Sequence, residues 1–253
     1  MREWITGRNA VYEALQAGRR QPFRLLVAQG TQEKGRLAEA LALAAARGIP
    51  VEYVEHARLD SLGSGDQRVA LEASDYPYVG LEDMLDLAER QGELPFLLIL
   101  DTLQNPQNFG ILLRTAEAVG VHGVLLPLRR TATITPAVVS ASSGASEHLL
   151  VAQVNLAQAI DRLKEAGVWV VGLDVDPPAQ EVDQVRLDGP LALVVGNEGE
   201  GMHRLVRRSC DLLVRLPMRG RVASLNAAVA GSLALYLAWR ARGLSARNGE
   251  ATT

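Results

Sequence analysis

The chain has 253 residues, 48% of them hydrophobic, which suits one large domain or two small ones with a substantial core and excludes disorder over most of the length. The lone cysteine, Cys210, excludes an internal disulfide framework, and the histidines His56, His122, His148 and His203 are too scattered to suggest a zinc site. A net charge of −3 does not advertise a nucleic-acid binder, so the expectation is a protein of the reducing cytoplasm, without a metal, whose partners must be read from local patterns.

The start of the chain carries Arg2, Glu3 and Arg8 and no long apolar run, so no signal peptide is expected. Residues 9–17 read as a helix and 23–28 as a strand. Residues 32–47 form an alanine-rich helix closed by Gly48. Strands at 51–54 and 69–73 complete a small α/β unit. Turn-rich stretches at 74–77 and 91–95 bracket a short amphipathic helix at 81–90. The predicted organisation is a first domain over 1–75, a linker over 76–95, a second domain over 96–243 and a flexible tail over 244–253.

From residue 96 onward strands and helices alternate. The apolar run 96–100 is a buried strand, 102–107 a polar turn, 108–119 a helix closed by Gly120, and 123–126 the next strand, giving a βαβ unit. A helix at 136–143, a strand at 149–151, a helix at 156–166 and strands at 168–173 and 191–195 follow. A helix from 201 to 209, a strand at 212–216 and a last helix capped by Ser224 complete the pattern. The stretch 222–239 is low in charge but short for a membrane span. This is a doubly wound α/β pattern, in which ligands bind beyond the carboxyl ends of the strands.

Three loops leave strand ends in this second domain. The first, 101–110, enters a helix whose Asn108, Gly110 and Arg114 stand out. Gly110 and Arg114 share a helix face, and the glycine leaves room for a ligand beside the guanidinium. On spacing alone, the simpler account of Arg114 is a side chain that snorkels to water. The second loop carries Gly196, Glu198, Gly199, Glu200 and Gly201. Its spacing is neither the dinucleotide fingerprint nor a P-loop, and its glutamates favour a ligand with positive charge. An ordinary tight turn is the alternative. The third runs from Leu216 through Pro217, Met218, Ser224 and Leu225 to Asn226, which is read as a buried amide or a second cap. Only Lys34 and Lys164 among the 26 basic residues are lysines, and Arg204, Arg207, Arg208, Arg215, Arg219 and Arg221 cluster against Asp211 alone. Such arginines suit phosphate contacts, although GC-rich codon usage or a solvated face gives the same bias.

Together the loops resemble the SpoU family, also called the TrmH family, of S-adenosylmethionine-dependent RNA ribose 2′-O-methyltransferases. The resemblance rests on Asn108, Gly110 and Arg114 in the first motif, on Gly196, Glu198, Gly199 and Gly201 in the second, and on Pro217, Met218, Ser224, Leu225 and Asn226 in the third. Gly7, Ala10, Val11 and Leu15 look like the opening helix of the subgroup whose N-terminal domain is similar to ribosomal protein L30e. That subgroup includes the bacterial enzyme that methylates a guanosine of 23S rRNA. The resemblance implies a SPOUT-type domain with a trefoil knot behind a small L30e-like RNA-binding domain, and a homodimer acting on structured RNA.

It further implies S-adenosylmethionine held by Gly196, Gly201, Leu216, Met218, Ser224 and Leu225, with Asn108, Arg114, Glu198 and Asn226 as catalytic residues. Because arginine keeps its proton, Arg114 is expected to bind a phosphate and the developing alkoxide rather than to act as the base. The alternatives are a tRNA target, an antibiotic-resistance site on rRNA, or a catalytically silent RNA-binding or ribosome-assembly factor. A Rossmann dehydrogenase is disfavoured by the glycine spacing.

Overall fold

The computed structural model describes residues 2–63, 68–129, 131–222 and 224–243; the tail read at 244–253 lies outside them. A four-stranded sheet comes first in the chain. It contains β1 (Arg2–Thr6), β2 (Pro22–Ala28), β3 (Val51–Val54) and β4 (Val69–Ser74), with helices α1 (Arg8–Ala17), α2 (Arg36–Ala46) and α3 (His56–Asp60). Its order is β1-β4-β2-β3, antiparallel except for the β2–β3 pair. The strand β1 was not expected from the sequence. It is a short edge strand whose charged first residues, Arg2 and Glu3, hide its alternation, and only Ile5 is fully buried. Helix α2 starts later than the alanine-rich run suggests, because Gly35 enters it at φ 56.

Helix α4 (Leu81–Gln91) follows, and then a seven-stranded sheet. The remaining elements are β5 (Phe96–Leu100), α5 (Pro106–Ala118), β6 (Gly123–Pro127), α6 (Pro136–Ala141), β7 (Val151–Val154), α7 (Leu156–Glu165), β8 (Trp169–Leu173), β9 (Gln180–Glu181), β10 (Leu191–Val195), α8 (Arg204–Ser209), β11 (Leu212–Arg215) and α9 (Ala227–Ala241). The order is β7-β6-β5-β10-β8-β11-β9, and every pairing is parallel. From β5 the chain builds outward through β6 and β7, then crosses over to build the other half. The doubly wound architecture predicted from the alternating pattern is therefore present, with the switch point beside β5.

Alternate residues of the buried strands face two helical layers. Leu98, Leu100, Leu193 and Val195 meet α5 and α9, while Leu97, Ile99, Ala192 and Val194 meet α4 and α7. Residues 76–95, read as a linker, contribute the buried Tyr76 and the core residues Leu81 and Met84. One apolar cluster runs from Ile5 and Leu15 through Tyr76 to Phe96 and Phe109, so the two sheets share a core.

Two further helix starts differ from the sequence reading, each set by an asparagine cap. Helix α5 opens at Pro106 because Asn105 accepts from the backbone N–H groups of Gln107 and Asn108. Helix α9 is capped by Asn226, which accepts from Ala228 and Val229; Ser224, the expected cap, is two residues too early.

Candidate active site

Strands β5, β10 and β8 end level with one another, since Val195 is in register with both Leu100 and Leu173. Their loops therefore start side by side. A cavity of about 360 Å³ lies beyond them, between the loops after β8 and β10 and the segment that leads into α9. All six residues predicted to hold a cofactor, Gly196, Gly201, Leu216, Met218, Ser224 and Leu225, line it.

The loop after β10 owes its shape to contacts with itself. A Cβ on Gly196 would lie 2.2 Å from the Gly201 carbonyl carbon and 2.4 Å from the Met202 nitrogen, so this glycine lets the loop return onto its own start. Asn197 and Gly201 exchange backbone hydrogen bonds of 3.1 and 3.2 Å. The Asn197 side chain also accepts from the N–H groups of Gly199 and Glu200, at 2.9 and 2.7 Å. Glu198 is left at the tip, where it accepts from the Asn108 amide. Asn226 in turn donates to Asn108 Oδ1 at 3.4 Å. Asn108, Glu198 and Asn226, three of the four predicted catalytic residues, thus meet at the cavity's edge.

The fourth faces elsewhere. Arg114 is exposed on α5 and donates to Ser143 Oγ at 3.1 Å. It lines a separate groove of about 460 Å³, whose other side is made by Asn9, Glu13 and Arg36 of α1 and α2. The expectation that Gly110 leaves room for a ligand is corrected here. Its missing Cβ would lie 2.5 Å from Ala141 Cβ and 2.8 Å from Ser142 N, so the glycine serves the close approach of α6 to α5.

The cavity is acidic. Asp174, Asp176, Glu198 and Glu200 line it against Arg207 alone. Arg207 donates to Asp174 Oδ2 at 2.6 Å and to Pro177 O at 3.1 Å, and the hydrogen bond to Asp174 holds its guanidinium above the ordinary arginine range. That arrangement suits a ligand with positive charge, as the loop glutamates suggested. Of the arginine cluster, Arg207 and Arg215 are engaged by Asp174 and Glu181, while Arg204, Arg208, Arg219 and Arg221 lie exposed.

Residues 95–236 match the SpoU rRNA Methylase family, and residues 4–79 match a family described as RNA 2′-O ribose methyltransferase substrate binding. The chain belongs to the SpoU/TrmH family of RNA methyltransferases. It is similar to YacO of Bacillus subtilis, which is named as a TrmH-family tRNA/rRNA methyltransferase, at 45% identity over 244 residues, covering 95% of this chain and 96% of that one. A Staphylococcus saprophyticus protein of the same description is 40% identical over 242 residues, covering 94% and 95%. Among solved structures, an RNA 2′-O ribose methyltransferase superposes with a TM-score of 0.75 at 27% identity, covering 96% of this chain and 90% of that one. AviRb of Streptomyces viridochromogenes, solved with AdoMet, superposes at 0.79 with 23% identity, covering 95% and 90%, a likeness of fold.

In this SpoU/TrmH chain, sequence reading missed the wall after β8, which carries Asp174 and Asp176. The signal was available, since the strand at 168–173 was predicted and its carboxyl end is where ligands bind. It also missed the support beneath the second loop. There the buried Asp101 accepts from His203 N at 2.6 Å and lies 3.1 Å from His203 Nδ1, while Asn197 donates to Thr102 Oγ1 at 3.3 Å. Thr102 holds φ 60, a left-handed conformation uncommon for threonine. No sequence pattern announces it. Among the described residues, no group of three or more His, Cys, Asp or Glu side chains is placed to hold a metal, and no helix is long and apolar enough to cross a membrane.

Proposed function

We propose that this chain transfers a methyl group from S-adenosylmethionine to a ribose 2′-hydroxyl of structured RNA, with a guanosine of 23S rRNA as the preferred target. The observation that carries the proposal is one acidic cavity lined by the second and third motif loops, with Asn108 of the first in contact with Glu198 and Asn226 at its edge. A volume of about 360 Å³ lies within the range of nucleoside-sized sites. The backbone of 196–201, with Leu216, Met218, Ser224 and Leu225, would hold the cofactor, which supplies an electrophilic methyl on a sulfonium. The carboxylates of Asp174, Asp176, Glu198 and Glu200 favour that positive charge, and it is lost on transfer.

In the reaction the 2′-oxygen forms a bond to the methyl carbon, the carbon–sulfur bond breaks, and the hydroxyl proton leaves to solvent or a base. Alignment of oxygen, carbon and sulfur is worth up to roughly 7–11 kcal/mol in well-oriented systems. Asn108, Glu198 and Asn226 orient the ribose. Arg114, which lines the separate groove beside α1, binds the neighbouring phosphate rather than acting as the base, because an arginine does not give up its proton. Residues 1–75 serve as the RNA-binding domain, 76–95 as the linker and 96–243 as the methyl-transfer domain, whose C-terminal part forms a trefoil knot. The exposed arginines at 204, 208, 219 and 221 add phosphate contacts, so RNA affinity falls steeply with salt.

A homodimer belongs to the same reading. Val229, Leu233, Tyr236 and Leu237 form an exposed apolar stripe on α9, with Ile111 exposed on the adjacent α5, and a second copy is the occupant that fits. A catalytically silent assembly factor is disfavoured by the intact Asn108, Arg114, Glu198 and Asn226. The names of the relatives keep tRNA as a second target. Mapping of 2′-O-methyl groups on rRNA and tRNA from a deletion strain tests the proposal, and a pattern identical to wild type on both would sink it. Near wild-type single-turnover transfer by Arg114→Lys would remove any essential role for the guanidinium.

A further inference from the structure

We propose that Ser143 is a positioning residue for Arg114, held in place by helix α1 of the small-sheet layer; this rests on the reading of Arg114 as the guanidinium that meets the RNA. Ser143 adopts φ 54, in the left-handed region that glycine occupies freely and serine does not. Glycine is the next residue, so the turn is not short of conformational freedom in sequence terms. A serine at 143 is strained relative to glycine, and its hydroxyl accepts one contact, from Arg114 Nη1 at 3.1 Å. Strain of this kind persists where the surroundings over-determine it, and it concentrates at functional sites.

The surroundings do over-determine it. On one side, Gly110 lets Ala141 and Ser142 press against α5, the helix that carries Arg114. On the other, a Cβ at Gly144, itself at φ 89, would lie 2.6 Å from Glu13 Cβ and 3.1 Å from Ala10 Cα of α1. Glu13 also meets His148 Nε2 at 2.8 Å and Arg36 at 3.9 Å. The turn is thus clamped between the helix that carries Arg114 and the first helix of the small-sheet layer. Arg114 has five N–H donors in a fixed fork, and Ser143 fixes one of them. The small-sheet layer therefore sets the aim of Arg114 as well as contributing to RNA binding.

The test is Ser143→Gly, which removes the hydroxyl and relieves the strain. Thermal unfolding should be unchanged or shifted upward, and AdoMet affinity by calorimetry should match wild type. Single-turnover transfer from labelled AdoMet into total RNA of a strain lacking the gene should fall roughly ten- to hundredfold, the size of one hydrogen bond to a charged group. Ser143→Asn tolerates the left-handed region and offers an acceptor oxygen, so it should recover much of that loss. In an Arg114→Ala background, Ser143→Gly should have no further effect. Wild-type transfer by Ser143→Gly overturns the inference, as does a loss that tracks a lowered unfolding temperature or that multiplies independently with Arg114→Ala. Wild-type transfer by Arg114→Ala, or no transfer by the wild-type chain, would instead sink the reading of Arg114 or of the reaction beneath it.

Discussion

The cluster around Arg20 and the cluster around Asn108 each tie a glutamate to side chains from distant segments, in opposite surroundings. Arg20 joins the two sheets. Its Nε and Nη2 donate to both carboxylate oxygens of Glu147 at 2.8 and 3.1 Å, and its Nη1 reaches Glu3 at 2.8 Å and Ser74 O at 2.9 Å. The side chains of Arg20 and Glu147 are each only 1% exposed. Burial opposes the charge on Arg20, but Glu147 and Glu3 outweigh it and hold the guanidinium protonated. Burial also pushes the Glu147 carboxyl up, yet the forked geometry with both oxygens engaged is that of a charged pair. Beside it the Tyr76 hydroxyl, pushed by burial up to about 12, receives a hydrogen bond from Arg19 at 2.7 Å. Asn108, Glu198 and Asn226 instead sit at the edge of an open cavity. The buried cluster fixes the joint, whereas the open one keeps acceptors and donors available to a substrate.

The largest effect should come from breaking the buried cluster. Arg20→Met leaves Glu147 buried without its partner, and a loss of about 3–5 kcal/mol in denaturant unfolding is expected. Replacing both partners, as Arg20→Met with Glu147→Leu, should recover most of it, because the charge left behind, on Glu3, is the one that still reaches water. A single variant that unfolds like wild type would erase the contrast between the two clusters.

Gly196→Ala probes the boundary between scaffold and site. The new methyl group meets backbone at Gly201 and Met202, which cannot rotate away as a side chain could. Stability should fall by about 1–3 kcal/mol, as in overpacked sites, and AdoMet binding by calorimetry should weaken with it. Unchanged affinity would mean that the cavity tolerates an opened loop and that the Gly196 contact matters only for folding.

Glu198→Gln and Asn108→Ala lie wholly on the open side. Unfolding free energy should stay within about 0.5 kcal/mol of wild type at the exposed Glu198 and change little more at the half-buried Asn108. Single-turnover transfer should drop roughly ten- to hundredfold, in keeping with the loss of a charge-assisted hydrogen bond. A variant that lost stability and kept its rate would reverse the assignment of the two clusters.

The contrast also explains what could be read from the sequence. Buried strands such as 96–100 and 191–195 are continuous apolar runs, so the doubly wound sheet was legible, and strand-end loops led to the cavity. The edge strand β1 was not legible, because Arg2 and Glu3 serve side-chain contacts rather than a buried face. Nor was the role of the small residues. Gly110 read as space for a ligand and Gly196 as part of a cofactor site, yet the place a Cβ would take at each is filled by the chain itself, by Ala141 and by Gly201. A glycine announces close approach without saying of what. The facing of Arg114 toward Ser143 depends on the clamped turn at 142–148, a long-range consequence of packing against α1 that local spacing cannot carry.

His122 tests an intermediate case, buried but incompletely partnered. Its Nδ1 accepts from Phe96 N at 3.0 Å, while its Nε2 lies 3.3 Å from Glu93 without the geometry of a hydrogen bond. Burial pushes the imidazole below its ordinary 6.5, and Glu93 offsets this only in part. The unfolded chain therefore takes up a proton below about pH 6.5 before the folded one does, and stability should fall as the pH drops through that point. Above it both states are neutral at this residue and the effect vanishes. Each tenfold difference in proton affinity between the folded and unfolded imidazole is worth about 1.4 kcal/mol. His122→Asn keeps an acceptor for Phe96 N and removes the titration, so its unfolding free energy should lose less than wild type between about pH 8 and about pH 5. Equal losses would place the acid sensitivity in a carboxylate held below its ordinary range on folding, such as Glu72 beside Arg24.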